Sequence, residues 1–374
     1  MERKNFAVLC AAVLCFWLFA LALGTAEGVG LRAVMHPEER AVSADVEETA
    51  EGILLPAAAA APQLDLNCRA AILIEQGSGR VLYEKNADER VPIASITKVM
   101  TLLLIFEALD SGRIAKEDMV TVSAYAAGMG GSQVYLKEGE QMTVGELVKC
   151  ITVVSGNDAA VAMAEYLAGS ETAFVEQMNR RAQDLGMGDT TFLNCTGLPA
   201  QGHVTSAHDI ALMSRELVLN HPGIREYTTI WMDSIRNGAF GLTNTNRLVR
   251  FYQGATGLKT GSTDSALYCM SATAERDGME LIAVVLKAKT SEQRFESAKS
   301  LLNFGFANYT LTDVYPGQAL PPVDVLLGEQ DTVQPVLAQS SRILVDKAQL
   351  NDVTSELRLC ENVEAPVEQG QKLG

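Results

Sequence analysis

Three short polar strings follow one another along the chain, and together they hold the groups that a serine acyl transferase without histidine requires. They are Ser95-Ile96-Thr97-Lys98, Ser155-Gly156-Asn157 and Lys259-Thr260-Gly261. In a chain of this length, roughly one S-x-x-K string and about 0.1 copies of each tripeptide are expected by chance. The S-x-x-K string alone therefore indicates nothing. The three strings in this order indicate a serine nucleophile, a lysine base and polar groups that assist both.

Ser95 and Lys98 begin a helix that the sequence predicts from Ser95 to Leu109. The side chains after Lys98 are almost all apolar, and a helix that is apolar on every side is buried. The start of a helix favours negative charge, and Lys98 lies one turn after Ser95 on the same face. An amine acts as a base only when it is neutral, and both burial and a nearby cation, Lys259, would favour that form. The sequence therefore predicts Ser95 as the nucleophile and Lys98 as its base.

Ser155-Gly156-Asn157 stands between an apolar segment and an alanine-rich one, and it is predicted to form a loop between two helices. The Ser155 hydroxyl could pass a proton to a leaving amine. The Asn157 side chain offers a donor for a substrate carbonyl and an acceptor for Lys98. Without the other two strings, an ordinary turn would be the simpler explanation of these residues.

Lys259-Thr260-Gly261 opens a predicted strand, and residues 267–286 after it are predicted to form a hairpin. An extended peptide could pair with such an edge strand, and Gly261 would let a ligand backbone approach closely. The backbone N–H groups of Ser95 and Ser262 are then the expected donors to an oxyanion. The residues assigned to substrate binding are Thr260, Gly261, Ser262 and Thr263.

Together these strings resemble those of the low-molecular-mass penicillin-binding proteins, which are serine-type D-Ala-D-Ala carboxypeptidases. The resemblance runs from about Asn67 to Tyr309. It implies removal of the terminal D-alanine from a peptidoglycan stem peptide ending in D-Ala-D-Ala, through an acyl-enzyme on Ser95. It also implies covalent inhibition by β-lactam antibiotics. The catalytic residues that it implies are Ser95, Lys98, Ser155, Asn157 and Lys259.

The pattern of elements and the resemblance together predict an α+β fold of the β-lactamase/transpeptidase-like type. An antiparallel sheet beginning with a hairpin over residues 71–83 would be flanked by helices, the last of which starts near Ser291. A helical lobe would carry Ser155, and the site is expected in the cleft between the two. A small β-rich module would follow, with strand-like runs at 323–327, 342–345 and 356–359.

Two alternative functions stay open. A β-lactamase would add a glutamate that activates water, typically within Glu-x-x-Leu-Asn, and the chain contains this string from Glu216 to Asn220. Its apolar spacing is helical and it lies too close to Lys259 for the β-lactamase pattern, so we interpret it as part of a helix. The second alternative is a catalytically silent penicillin-binding or wall scaffold protein. Arg247 and Arg250 are candidates for binding the substrate's terminal carboxylate, although each also fits a solvated arginine at a strand end.

Composition narrows the classes of partner. The formal charge of −16 argues against nucleic acid and provides no polybasic patch for anionic lipid. The four histidines show no metal-ligand spacing, so neither a metal nor another cofactor is expected. Peripheral association with the membrane stays open.

The chain divides into four predicted regions: a signal peptide (1–26), an acidic linker containing Ala and Pro (27–66), a catalytic domain (67–312) and a small, truncated β-rich domain (317–374). Small residues after the apolar run from Phe6 to Leu23 favour cleavage over a membrane anchor. With either a cleaved signal or a membrane anchor, the rest of the chain is expected to be exported to the cell envelope. The five cysteines after residue 26 are scattered and odd in number, so no disulfide framework is predicted.

Overall fold

The computed structural model describes residues 64–313, 319–337, 342–354 and 356–374. The predicted signal peptide and nearly all of the predicted linker lie outside the described residues. The strands are β1 (Ala70–Glu75), β2 (Val81–Lys85), β3 (Met119–Thr121), β4 (Gln141–Thr143), β5 (Met232–Ile235), β6 (Phe240–Thr243), β7 (Ala255–Thr263), β8 (Leu267–Arg276), β9 (Met279–Ala288), β10 (Tyr309–Asp313), β11 (Val323–Leu326), β12 (Thr332–Val333), β13 (Arg342–Asp346) and β14 (Asn362–Glu364). The α-helices are α1 (Lys98–Asp110), α2 (Ala124–Ala127), α3 (Val144–Val153), α4 (Asn157–Ala168), α5 (Glu171–Asp184), α6 (Ala207–Asn220), α7 (Arg225–Thr228), α8 (Leu248–Phe251) and α9 (Ser291–Asn308). Short 3-10 helices span Ala94–Thr97, Pro222–Ile224 and Lys347–Asp352.

A five-stranded antiparallel sheet has the order β2-β1-β9-β8-β7. Alternate residues of β1 point to opposite faces of the sheet. Ile72 and Ile74 join the core cluster that contains α1 and α6, whereas Ala71 and Leu73 join the cluster that contains α9. Because helices cover both faces, the central strands β1, β8 and β9 are mostly buried and mostly apolar. β7 pairs with β8 alone among the described strands, so its other side is left open.

The helical lobe is built around α1, which is buried except near its C-terminal end. Helices α3, α4 and α5 contact it. Helix α3 begins with a capping box in which Thr143 and Glu146 satisfy each other's backbone N–H groups. The predicted α+β architecture, with an antiparallel sheet, flanking helices and a helical lobe, is confirmed.

The start of the first helix differs from the prediction. Ser95 lies in the 3-10 helix Ala94–Thr97, and the α-helix itself begins at Lys98. The Thr97 hydroxyl donates to the Ala94 carbonyl oxygen at 2.9 Å, and this bond across three residues favours the tighter turn. Ser95 therefore occupies the turn that precedes α1 and not the first position of the α-helix.

The other predicted elements of the sheet domain agree closely with the structure. The two hairpins are β1–β2 and β8–β9. Helix α9 begins at Ser291, where the Thr290 side chain caps it. The helix buries an apolar face that includes Phe295, Ala298, Leu302 and Phe306.

The region after α9 contains two small sheets, β10-β13 and β12-β11-β14. The runs predicted at 323–327 and 342–345 correspond to β11 and β13. The strand predicted at 356–359 is wrong, because the last strand is β14, which pairs in parallel with β11. Glu356 and Arg358 form an exposed ion pair with each other, and Leu357 between them is exposed, so this run has no buried face. The predicted boundary between the catalytic domain, ending at residue 312, and the C-terminal domain, starting at residue 317, stays a prediction.

In the described part of the chain, no helix combines the length and apolarity needed to cross a bilayer. The cysteines there are unpaired: Cys68, Cys150, Cys195, Cys269 and Cys360.

Candidate active site

The amine of Lys98 lies at the centre of a buried hydrogen-bond network. Lys98 is the first residue of α1 and is completely buried. Its Nζ lies 3.1 Å from Ser95 Oγ, 2.6 Å from Asn157 Oδ1 and 2.7 Å from the Thr196 carbonyl oxygen. These partners come from the 3-10 helix, from α4 and from the loop between α5 and α6. The packing of three separate parts of the fold therefore fixes the position of the amine.

Burial lowers the pKa of Lys98 to about 7, although Cys195 and Asp158 act in the opposite direction. The charged amine is disfavoured because burial removes it from solvent. An amine with this pKa is substantially neutral near physiological pH, and in that form it can accept the proton of the Ser95 hydroxyl.

Lys259 is the second buried lysine. Burial, followed by the charges of Lys98 and Arg294, holds the pKa of Lys259 well below its usual value. Its amine donates to the carbonyl oxygen of the adjacent Thr260 at 2.8 Å. Burial is thus the main cause of the low pKa at both lysines, and repulsion between cations contributes at Lys259.

Ser155 lies in the predicted loop, between the end of α3 and the start of α4. Its backbone has a left-handed φ of +63°. Its Oγ is buried and has no hydrogen-bond partner among the described residues. A buried hydroxyl without a partner destabilises the fold by about 1–3 kcal/mol. The Ser155 hydroxyl is therefore free to hydrogen-bond to a substrate or to transfer a proton.

Asn157 is held by its backbone and by its side chain. Its backbone N–H donates to the Ser132 carbonyl oxygen at 2.7 Å, and its Nδ2 donates to the Gly130 carbonyl oxygen at 2.7 Å. These bonds direct Oδ1 toward Lys98 and leave the second hydrogen of Nδ2 available for a substrate carbonyl.

Gly261 brings β7 into contact with the 3-10 helix that carries Ser95. A Cβ at Gly261 would lie 2.8 Å from both the Ile93 carbonyl oxygen and the Ser95 backbone nitrogen. The close neighbour of this glycine is therefore the protein's own backbone, and its predicted approach to a ligand backbone stays a prediction. The adjacent Thr260 hydroxyl donates to the Thr245 hydroxyl at 2.7 Å.

A cavity of about 530 Å³ opens above this group. Of the residues predicted to be catalytic or to bind substrate, Ser95, Ser155, Thr260, Gly261 and Ser262 line it. Three further residues that were predicted to be catalytic are buried and do not line the cavity: Lys98, Asn157 and Lys259. They act on the lining residues through their hydrogen bonds and charges. Thr263 lines a neighbouring cavity of about 370 Å³. The three strings therefore meet at one place, and Thr263 lies at its margin.

Arg294 in α9 lines the cavity and was not predicted. Its side chain is buried, and no carboxylate contacts it within the described residues. Its hydrogen bonds are long, at 3.4 Å to the carbonyl oxygens of Gly261 and Cys269 and 3.2 Å to the Ser291 hydroxyl, and its Nε has no partner in the described chain. Burial lowers the pKa of Arg294 to about 10, so the guanidinium stays charged at neutral pH. The available signal was its spacing of four and seven residues from Ala298 and Leu301, which places a cation on the apolar face of the helix.

The two arginines that the sequence offered for a substrate carboxylate differ in position. Arg247 lines the cavity. The guanidinium of Arg250 lies 5.6 Å from the ring centroids of both Trp231 and Phe251, and Arg250 does not line the cavity.

Glu216 lies in α6 and forms an ion pair with Arg181 at 2.6 Å, away from the cavity lining. Its string is thus helical, as interpreted. Glu216 also belongs to a group with Glu107 and His221 whose ligand atoms lie within 4.8 Å of one another. Arg181 binds both carboxylates of this group, which leaves them little affinity for a metal ion.

Comparison with known families and proteins agrees with this geometry. The family described as D-alanyl-D-alanine carboxypeptidase matches residues 56–290. D-alanyl-D-alanine carboxypeptidase DacF of Bacillus subtilis (strain 168) is 44% identical over 317 residues, which is 83% of this chain and 81% of the relative. D-alanyl-D-alanine carboxypeptidase DacC of Escherichia coli (strain K12) is 36% identical, with 84% and 80% covered.

Solved structures are similar as well. Penicillin binding protein 5 from Haemophilus influenzae superposes with a TM-score of 0.72 at 30% identity, covering 84% of this chain and 92% of that one. Penicillin-binding protein D2 from Listeria monocytogenes in its ampicillin-bound form has a TM-score of 0.60 at 36% identity, covering 66% and 100%.

Proposed function

Because this chain belongs to the D-alanyl-D-alanine carboxypeptidase family, we propose that Ser95 is the residue through which it removes the terminal D-alanine of peptidoglycan pentapeptides. The protein is a serine-type D-Ala-D-Ala carboxypeptidase, and β-lactams inhibit it as penicillin-binding proteins are inhibited. One observation carries the assignment of Ser95. Its Oγ lies 3.1 Å from the amine of a completely buried lysine and borders an open cavity.

Acylation begins when the neutral amine of Lys98 accepts the proton of the Ser95 hydroxyl. Oγ then attacks the carbonyl carbon of the penultimate D-alanine. The backbone N–H groups of Ser95 and Ser262 stabilise the oxyanion that forms. The Asn157 amide orients the substrate through a neighbouring carbonyl group.

Collapse of the tetrahedral intermediate breaks the C–N bond and releases the terminal D-alanine. Its nitrogen needs a proton as it leaves, and the unpartnered Ser155 hydroxyl supplies it. Ser155 recovers its proton from Lys98, which gives up the proton that it took from Ser95 and is neutral again for the next step, while Lys259 assists this transfer through its charge. Water then attacks the ester carbonyl with Lys98 again as the base, which regenerates Ser95.

The terminal carboxylate of the substrate is bound by Arg294. A buried guanidinium that lines the cavity without a carboxylate partner in the described chain matches this anion in charge and geometry. Arg247 borders the same cavity and adds positive potential. Thr260, Gly261, Ser262 and Thr263 bind the substrate backbone along the open side of β7.

We further propose that the enzyme works outside the cytoplasmic membrane, in the cell envelope, where peptidoglycan is processed. The predicted apolar signal over residues 1–26 supports export.

A fluorescent penicillin tests the assignment directly. The purified protein should form a stable covalent adduct and should release D-alanine from diacetyl-Lys-D-Ala-D-Ala. Both activities should disappear in Ser95→Ala. Ser111→Ala, which removes an equivalent hydroxyl at the exposed end of α1, is the matched control and should keep both. Labelling that persists in Ser95→Ala would show that another residue is acylated.

A further inference from the structure

Residues 130–136, called here the 130–136 segment, lie against Asn157, and the reaction steps above do not involve them. The carbonyl oxygens of Gly130 and Ser132 each lie 2.7 Å from a nitrogen of Asn157. A Cβ at Gly131, whose φ is +79°, would lie 2.8 Å from Asn157 Nδ2. The orientation of the Asn157 amide therefore depends on where this segment lies.

Asp158, the residue after Asn157, holds the N–H side of the segment. Its buried carboxylate accepts from the backbone N–H groups of Val134 at 3.0 Å and Leu136 at 3.1 Å. It also accepts from the N–H of Ala159 at 2.9 Å. Hydrogen bonds to an ionised acceptor are stronger than neutral ones, and a buried carboxylate that loses them is costly.

Arg236 holds the carbonyl side of the same segment. It lies in the turn between β5 and β6, and its guanidinium donates to the carbonyl oxygens of Val134 at 2.9 Å and Tyr135 at 3.2 Å. Its Nε also donates to Glu140 Oε1 at 2.7 Å, which fixes the plane of the fork. The Asp158 carboxylate thus binds N–H groups of the 130–136 segment, and the Arg236 guanidinium binds its carbonyl groups.

We propose that Arg236 is a positioning residue for acylation, which acts by holding the 130–136 segment so that Gly130 and Ser132 orient Asn157. The inference rests on the proposed function, because Asn157 matters only if Lys98 and Ser95 form the reacting pair. Asp158 shares the task. It also acts on the charge of Lys98 directly, so Arg236 gives the cleaner test.

The expected effect is on reaction geometry. When Arg236 is shortened to glutamine, Val134 and Tyr135 lose a charged donor and the segment can shift. The Asn157 amide then samples orientations in which Oδ1 no longer faces Lys98. The second-order rate constant for acylation by a fluorescent penicillin should fall about tenfold, equivalent to about 1.4 kcal/mol.

The experiment is a double-mutant cycle between Arg236→Gln and Asn157→Ala, with the acylation rate constant as the readout. If Arg236 acts through Asn157, then Arg236→Gln should slow the wild type about tenfold and should change the rate of Asn157→Ala by less than about twofold. An equal slowing in both backgrounds, or no slowing in the wild type, would overturn the proposal.

Arg181→Gln is the matched control. Arg181 is likewise ion-paired, with Glu107 and Glu216, and its side chain is 24% exposed compared with 27% for Arg236. Arg181→Gln should lower the melting temperature to a similar degree without changing the acylation rate constant.

If Arg236→Gln does not fold, Arg236→Lys replaces it in the cycle. That variant keeps the charge near Glu140 but lacks the planar fork that binds both carbonyls in fixed directions, and a reduction of about threefold is expected.

The cycle also distinguishes this proposal from the proposed function. A wild-type protein that is not acylated at Ser95 contradicts the proposed function. A wild-type protein that is acylated at Ser95, with Arg236→Gln equally fast, contradicts only the positioning role.

Discussion

Gly261 of β7 and Ser95 of the 3-10 helix are in backbone contact, with room for no side chain between them. A Cβ at Gly261 would lie 2.8 Å from the Ser95 nitrogen, which we assign to the oxyanion hole. The three nearest neighbours of that Cβ, the Ile93 carbonyl oxygen and the Ser95 and Ile96 nitrogens, are all backbone atoms, so none can move aside cheaply.

Gly261→Ala should therefore move β7 away from Ser95 and separate the two oxyanion donors. We expect kcat/KM for D-alanine release to fall at least about tenfold, because an oxyanion donor that is displaced contributes little. Gly241→Ala in β6 is the control, since a Cβ there meets nothing within 4 Å. Activity of Gly261→Ala equal to that of the control would contradict this account of the glycine.

The rate of acylation should depend on pH through Lys98. Its pKa is lowered by burial to about 7, and only the neutral amine can take the Ser95 proton. Below about pH 7 the rate constant should thus rise about tenfold per pH unit, and above it the rate should level off. The measurement is penicillin labelling across a pH series in buffers of constant ionic strength. A rate that stays flat from about pH 5 to 8 would exclude this amine as the base.

Lys98→Arg provides an independent check on the same group. Arginine keeps the positive charge but does not lose its proton at these pH values. Labelling should be abolished, even where circular dichroism shows a folded protein.

Ser155→Ala should separate activity from stability. The Ser155 Oγ is buried and has no partner in the described chain, so its removal should leave the free energy of unfolding unchanged within about 0.5 kcal/mol or raise it. The value of kcat should nevertheless fall at least about a hundredfold, since the leaving amine loses its proton donor. Thermal unfolding and steady-state kinetics on the same preparation measure both. A variant with kcat close to that of the wild type would remove Ser155 from the mechanism.

Arg294→Gln should lower kcat/KM about a hundredfold for a peptide ending in D-Ala-D-Ala. For the same peptide with a C-terminal amide it should have little effect, because the lost interaction is with the carboxylate. Arg250→Gln is the matched control, as this arginine lies over the rings of Trp231 and Phe251 and does not itself line the cavity. The opposite pattern, with Arg250→Gln impaired and Arg294→Gln normal, would place the carboxylate elsewhere.

The sequence predicted the catalytic residues well, but it did not predict the contacts that depend on packing between separate elements. The three strings could be identified because each carries its own local structure, and the apolar surroundings of Lys98 predicted its burial. Arg294 was missed because its function depends on contact with β7 and β8, where its partners Gly261 and Cys269 lie 33 and 25 residues away in the sequence. The close approach of Gly261 to the protein's own backbone was not predicted because no local pattern reveals which backbone lies opposite.

Two errors of secondary structure have local causes. In the 3-10 turn at Ser95 the Thr97 hydroxyl donates to the Ala94 carbonyl oxygen, and apolar periodicity does not distinguish such a turn from the first turn of an α-helix. The run 356–359 alternates like a strand, but its polar residues pair with each other in solvent and the sheet takes residues 362–364 instead.

The partners of the Lys98 amine come from three parts of the chain that meet only in the fully folded protein. No fragment that lacked one of them could hold the amine free of its proton, since water would reach it and restore its ordinary basicity. Catalysis should consequently vanish together with cooperative unfolding, and turnover can serve as a sensitive gauge of the native fraction during heating or denaturant titration.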